Sequence, residues 1–305
     1  MTNLVISCLP GVLGKQGYIN RLMTLVEERF GIHPSQQVQR KLERILDVLP
    51  DEALSEWVNQ LIALPATDNE WLSLVESLTV HETYFFRDKP MMTMLREDIL
   101  PSLINTKISQ HSHHIRIWSA GCSTGEETYN IAMLILEILL AKGEAVWQTS
   151  GAVVTRPCWQ IEILGTDVSR QVVRSAKEGI YANFGMGAFR DMTTDYWKYF
   201  EKHTNVNQGL VGVDYFQVHS SLKRFVSFRQ HNLLAHLPPE TNFDLLICRN
   251  VMIYFQVETK RQVQELFYRA LDPNGVLILG GTDEQFWPER YERQFGRGGC
   301  WYVRK

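Results

Sequence analysis

Residues 115–133 read IRIWSAGCSTGEETYNIAM. The stretch opens apolar and strand-like at Ile115, Ile117 and Trp118 and breaks into small residues from Ser119 to Gly125. It then turns helix-like, with Ile131, Leu134, Ile135 and Ile138 at helical spacing. A strand, a tight glycine turn and a helix make the first unit of a nucleotide-binding α/β sheet. Gly121 and Gly125 allow close backbone approach and unusual φ values. A helix N-terminus that grips a pyrophosphate has no use for two carboxylates in its first turn. Glu126 and Glu127 stand there, and they favour a cation or sugar hydroxyls over phosphate.

Working outward, the second half of the chain alternates strand-like and helix-like runs. Residues 160–165 (QIEILG) end at Thr166 and Asp167, and Ser169 is placed to cap the helix that follows. Residues 243–248 (FDLLIC) read as a buried strand leading into Arg249 and Asn250. A helix over 259–270, a strand over 276–280 and a final strand over 301–304 complete the pattern. Residues 215–219 and 225–229 read as a hairpin inserted into the main sheet, and 143–157 as a loop. The expectation is a doubly wound, mostly parallel α/β sheet, Rossmann-like in class. Ligands bind such sheets at the carboxyl ends of the strands, so the loops at Gly121–Glu127, Asp167, Asn232–Leu233 and Arg249–Asn250 face one pocket.

The first 80 residues instead read as helices. Ile19, Leu22, Met23, Val26 and Phe30 share a face, as do Val38, Leu42, Ile45, Leu46 and Leu49. Leu54, Trp57, Val58, Leu61 and Ile62 make a third set, and Trp71, Leu72, Val75 and Leu78 a fourth. Gln39, Arg40, Lys41 and Arg44 lie away from the second apolar face, as a solvated surface or a dock for an acidic helix. Between the halves, three aromatics precede Arg87 (Tyr84, Phe85, Phe86). They form either a hydrophobic connector or a lid segment that presents Arg87 to the pocket. A helix from Met91, with Met92, Leu95 and Ile99 inward, leads into the sheet.

Composition narrows the class. With 305 residues the chain buries a sizeable core in two domains; 45% hydrophobic and 21% charged residues are ordinary for a soluble protein. A net charge of −3 gives no case for nucleic acid. Five scattered cysteines fit a reducing compartment, no apolar run is long enough to span a bilayer, and no signal peptide is evident, so a cytoplasmic protein without membrane insertion is expected. The cysteines and histidines show no metal spacing, and no metal is expected.

On the residues alone, Asp167 at the end of the second strand is the expected partner of ribose hydroxyls, in an NAD enzyme as in any adenosine binder. The opening loop lacks a full G-x-G-x-x-G and carries two glutamates. A sulfonium cofactor, S-adenosylmethionine, therefore suits the pocket better than a dinucleotide.

The segments HETYFFRD (81–88), WSAGCSTGEETYNIAM (118–133), LGTDVS (164–169), HNLL (231–234) and CRNVMIYF (248–255) together resemble those of the CheR family of chemoreceptor glutamate methyltransferases, in the family's order. The resemblance implies a helical N-terminal domain over 1–89 and an S-adenosylmethionine-dependent methyltransferase domain over 90–305, with a small antiparallel β-subdomain inserted at about 183–229. It implies methyl transfer from S-adenosylmethionine to glutamate side chains on a receptor's cytoplasmic helices, leaving S-adenosylhomocysteine. Carried over, His81, Thr83 and Arg87 lie by the methionine end of the cofactor, and His81 stands where other members often carry Asn or Gly. Glu127 and Asp167 flank the amino and ribose parts, with Glu126 a bystander. Asn232 and Leu233 hold the adenine side, and Arg249 and Asn250 line the strand end. Arg87 and Tyr254 are the catalytic pair beside the transferred methyl. On its own, Tyr254 also reads as an aromatic core residue. The expected partner is a methyl-accepting chemoreceptor's cytoplasmic domain, whose C-terminal peptide the β-subdomain tethers in some members; the expected state is a monomer. Two alternatives stand beside this reading: a cofactor-binding regulatory or scaffold protein of a chemosensory, pilus or surface-signalling array, and a methyltransferase of the same fold with another acceptor.

Overall fold

The computed structural model describes residues 14–79, 82–149, 151–204 and 212–305. The chain divides into two units, Met1–Val80 and His81–Lys305. The aromatic segment around Phe85 therefore belongs to the larger unit, although the resemblance places the boundary at 89.

The first unit contains α1 (Lys15–Phe30), α2 (Gln36–Asp47), α3 (Asp51–Ala63) and α4 (Asn69–Leu78). Gly31 closes α1 in the left-handed region at φ 75°, where a side chain would be strained. Ser35 accepts from the Val38 N–H to start α2, and Asp68 accepts from the Glu70 N–H to start α4. The apolar stripes meet inside: Leu22, Val26, Leu42, Leu46, Val58, Leu61, Trp71 and Val75 are all buried. The Trp71 indole donates to the Leu61 carbonyl at 2.6 Å. Of the basic set on α2, Lys41 is already engaged: it donates to the Leu78 and Thr79 carbonyls at the end of α4. Arg40 and Arg44 remain exposed.

The second unit begins with α5 (Lys89–Met94), which runs through a π turn at Leu95–Ile99 into α6 (Leu100–Ser109). There follow β1 (His114–Ala120), α7 (Glu126–Ala141), β2 (Ala145–Trp147), β3 (Val153–Thr155), β4 (Gln160–Asp167), α8 (Arg170–Glu178) and β5 (Ile180–Asn183). A 3-10 turn at Thr194–Tyr199 leads to β6 (Phe200–His203), β7 (Asp214–Val218), α9 (Ser220–Lys223), β8 (Val226–Gln230) and β9 (Phe243–Cys248). The chain ends with α10 (Val257–Ala270), β10 (Leu271–Leu279), β11 (Tyr291–Gly296) and β12 (Gly299–Arg304). The main sheet has the order β11-β12-β10-β9-β1-β4-β8. From β10 through β9, β1 and β4 to β8 the strands pair in parallel, while β12 is antiparallel to both β10 and β11.

Both faces of this sheet are covered, which is why 245–248 reads as apolar throughout, while Asp244 at the start of β9 is paired with Lys107 at 2.6 Å. Leu245 and Ile247 point with Ile115 and Ile117 into the core beneath α7. Phe243, Leu246 and Cys248 point with Trp118 into the core beneath α10, around Phe267. The chain winds outward from β1 through β4 to β8, then returns to β9 on the other side of β1. The switch point, and the crevice it opens, lies at the carboxyl ends of β1 and β9.

Two expectations need correction. Residues 215–219 and 225–229 do not form a hairpin. The first run, as β7, is the centre of a separate three-stranded sheet between β5 and β6, while the second, as β8, pairs in parallel with β4 at the edge of the main sheet. The inserted sheet thus begins at Ile180 and is complete by Val218. The segment 143–157 is not simply a loop, because β2 and β3 pair antiparallel within it. Among the described residues, no helix is long and apolar enough to cross a membrane.

Candidate functional site

The turn after β1 is built on close approach. Gly121 has φ 78°, and a Cβ there would collide with Cγ2 of Val251, in the loop after β9. Gly125 has φ 96°, and a Cβ there would lie 2.9 Å from the Ala176 Cβ. The N–H groups of Gly121 and Cys122 both donate to the Thr166 carbonyl, at 2.7 and 2.9 Å. The loop is therefore held against the ends of β4 and β9 by its own backbone.

Asp167 completes the hold on the β4 side. Its carboxylate accepts from the Ser123 N–H at 2.9 Å and from the Ser169 N–H at 3.0 Å. Ser169 caps α8, accepting from the Val172 N–H, as its sequence position foretold.

Glu127 lies in the first turn of α7 and accepts from the Ser119 hydroxyl at 2.9 Å. Arg249, at the end of β9, donates to Glu127 at 3.4 Å and also to Asp88. The Arg249 side chain is only 7% exposed. One guanidinium thus meets two carboxylates, and the corner keeps a net negative charge. Such a corner attracts a ligand with a positive centre and repels phosphate.

Glu126, one residue earlier, has a different setting. It is 3% exposed, and its carboxylate accepts from the Thr124 hydroxyl at 2.7 Å, with the Thr83 hydroxyl near enough to act on its pKa. Burial pushes its carboxyl up to about 7, against the opposing pull of those hydrogen bonds. Sequence reasoning passed over Glu126, and it passed over Asp88 as the second partner of Arg249.

Arg87 follows the aromatic run. Phe85 is fully buried, its ring 4.9 Å from Tyr181, 5.3 Å from Phe189 and 5.0 Å from Phe200, and its N–H donates to the Ala188 carbonyl. Phe85 therefore anchors the connector in the core, and the half-buried Arg87 follows two residues later. Its guanidinium donates to the Glu82 carbonyl and lies 5.9 Å from the Tyr84 ring centroid. Arg87 also acts on Tyr254: burial raises that phenol's pKa, and the positive charge of Arg87 opposes the rise. Tyr254 is half-buried at the end of a 3-10 turn (Met252–Tyr254).

The remaining expected residues fall on neighbouring loops. Asn232 folds its side-chain carbonyl back to accept from the Leu234 N–H at 3.0 Å, and Leu233 is buried in the core around Trp118. Asn250 takes φ 57°, a region that asparagine tolerates better than most residues. His81 lies outside the described residues. A separate cavity of about 510 Å³ opens at the other end of the sheet and is lined by Lys107, Asp244, Asp272 and Trp301, with none of the expected site residues.

Residues 81–296 match the family model described as CheR methyltransferase, SAM binding domain. The chain is 32% identical to a chemotaxis protein methyltransferase of Borreliella burgdorferi over 272 residues, covering 87% of each. It is 31% identical to a chemotaxis protein methyltransferase of Vibrio parahaemolyticus, covering 70% of this chain and 68% of the other. It is 29% identical to that of Escherichia coli, covering 92% and 89%.

Proposed function

This chain belongs to the CheR methyltransferase family, and on that premise we propose that it methylates glutamate side chains on the cytoplasmic helices of chemoreceptors, forming glutamate methyl esters. S-adenosylmethionine is the cofactor; when bound, it supplies a methyl group made electrophilic by its sulfonium. The observation that carries the reading is the charge of the corner between β1 and β9, where Arg249 shares two carboxylates. That corner fits a sulfonium and ammonium, and Asp167 fits a ribose diol.

Under this reading Glu127 faces the cofactor's amino group and Asp167 its ribose, while Asn232 and Leu233 flank the adenine. Arg249 serves by fixing Glu127, because its guanidinium is already committed to Glu127 and Asp88. Asn250 shapes the strand end, and Thr83 and His81 stand on the methionine side. The acceptor glutamate is ionised at neutral pH, so no strong general base is needed. Arg87 orients the incoming carboxylate through its planar fork. Tyr254 stays a neutral phenol, since burial holds its pKa above the usual value, and it donates a hydrogen bond to the acceptor or cofactor. The residues contribute by positioning and by excluding water from an in-line displacement.

The partner is a receptor's cytoplasmic domain, met by a monomer in the cytoplasm. The outer strands of the three-stranded sheet, β5 and β6, each pair on one side only, and either can accept a tail peptide by strand addition. The test is transfer of labelled methyl from S-adenosylmethionine to receptor-containing membranes. Base-labile label on the receptor supports the reading. Absence of transfer, with S-adenosylhomocysteine still bound in calorimetry, would favour a regulatory cofactor binder instead.

A further inference from the structure

The Glu126 carboxylate has no cationic partner among the described residues, unlike its neighbour Glu127. It instead accepts from the hydroxyl of Thr124 in the opening loop, at 2.7 Å, while the hydroxyl of Thr83, on the stretch that leads to Arg87, lies near enough to act on the same carboxyl. The same Thr124 receives a third segment, because the Tyr181 hydroxyl, from β5 of the inserted sheet, donates to the Thr124 carbonyl at 2.7 Å. Tyr181 also packs edge-on against Phe85, two residues beyond Thr83. Three parts of the chain therefore converge: the opening loop, the Thr83–Arg87 stretch and the three-stranded sheet.

Gly125, between Thr124 and Glu126, starts α7 in the left-handed region and offers no side chain to cap it. A buried carboxylate without a cation is costly and is tolerated only when its lone pairs are filled. Here the acceptor is met by donors whose positions matter to the site.

We propose that Glu126 is a positioning residue, whose buried carboxylate fixes Thr83 against the opening loop and, through Thr124 and Tyr181, couples the inserted sheet to the cofactor pocket. This rests on the reading that the pocket takes S-adenosylmethionine. The titratable groups facing Glu126 are Tyr181 and Cys122, and burial raises the pKa of both. Asp167 and Glu127 lie close enough to act on Cys122 as well. Burial brings Glu126 near neutrality, so its grip on the two hydroxyls strengthens as pH rises and the charged acceptor forms.

The test is calorimetric binding of S-adenosylhomocysteine to the full chain from about pH 6 to about pH 8, with Glu126→Gln, Tyr181→Phe and Thr83→Val. Wild type is expected to bind more tightly as pH rises. Glu126→Gln, which keeps an acceptor but cannot ionise, is expected to bind about tenfold more weakly at the upper pH and to lose the pH dependence. Tyr181→Phe is expected to weaken binding about threefold while keeping it. Should Glu126→Gln not fold, Thr83→Val removes the same bond from the other side and must weaken binding in the same sense. A buried glutamate that serves only stability would shift melting and leave affinity and its pH profile alone. Wild-type affinity and pH profile in Glu126→Gln, or in Thr83→Val where that stands in for it, overturns the inference. Failure of the wild type itself to bind at any pH removes instead the cofactor reading beneath it.

Discussion

The guanidinium of Arg249 donates to the carboxylate of Asp88, 161 residues earlier in the chain. That contact ties the end of β9 to the residue that caps α5, immediately after Arg87. Arg249→Ala leaves Asp88 and Glu127 facing one another without their cation. The expected loss is roughly 3 kcal/mol, the low end for breaking a buried pair, because Asp88 is 38% exposed. Urea unfolding measures it, and Arg249→Lys should recover only part, since an ammonium lacks the fork that reaches both partners.

Glu126 also sets a pH dependence of stability. Its carboxyl rises from an ordinary 4.5 to about 7 on folding. The folded state therefore holds this proton more tightly than the unfolded chain. The contribution is fully present below about pH 4.5 and is lost as pH rises through about 7. Its full size is roughly 3 kcal/mol. Glu126→Gln should therefore flatten the decline in unfolding free energy between those two pH values relative to wild type. Parallel curves for the two proteins would show that Glu126 does not titrate in that window.

Arg87→Ala and Tyr254→Phe should separate catalysis from cofactor binding. Both are expected to lower methyl transfer to receptor membranes, Arg87→Ala by about 100-fold and Tyr254→Phe by about tenfold. Affinity for S-adenosylhomocysteine should change by less than about threefold in each, as calorimetry would read it. Normal turnover in Arg87→Ala would remove its orienting role.

Gly121→Ala should cost about 2 kcal/mol or more, from a left-handed backbone and from collision with Val251. Val251→Ala in the same chain opens the space but not the backbone. The double variant should regain part of the loss, and a double-mutant cycle by thermal or urea unfolding measures the coupling.

Much of this was legible locally. The four helical stripes before residue 80, the cap at Ser169 and the buried strand 243–248 all carry their structure in nearest-neighbour chemistry. The opening turn was legible because glycine spacing and helix periodicity adjoin. What failed was non-local. Residues 214–218 and 226–230 lie close in sequence and look like a hairpin, but β8 finds a better partner in β4, more than 60 residues earlier, and α9 carries the chain from one sheet to the other. The two glutamates of α7 differ by one residue, hence by about 100° around the helix, and only packing decides which faces Arg249 and which is buried. No spacing rule foretells Asp88 as the partner of Arg249, because their meeting depends on the whole sheet being assembled.

The N–H of Val218 donates to the carbonyl of Gly179 at 2.9 Å, closing the base of the inserted sheet like a stem. The chain therefore leaves the main fold and rejoins it at nearly the same place, so the segment between is a cassette that can be exchanged without rethreading the core. Tyr181 sits just inside that stem. A graft cut at Gly179 carries with it the Tyr181 hydroxyl that donates to the Thr124 carbonyl, so an exchanged sheet brings its own contact with the opening loop.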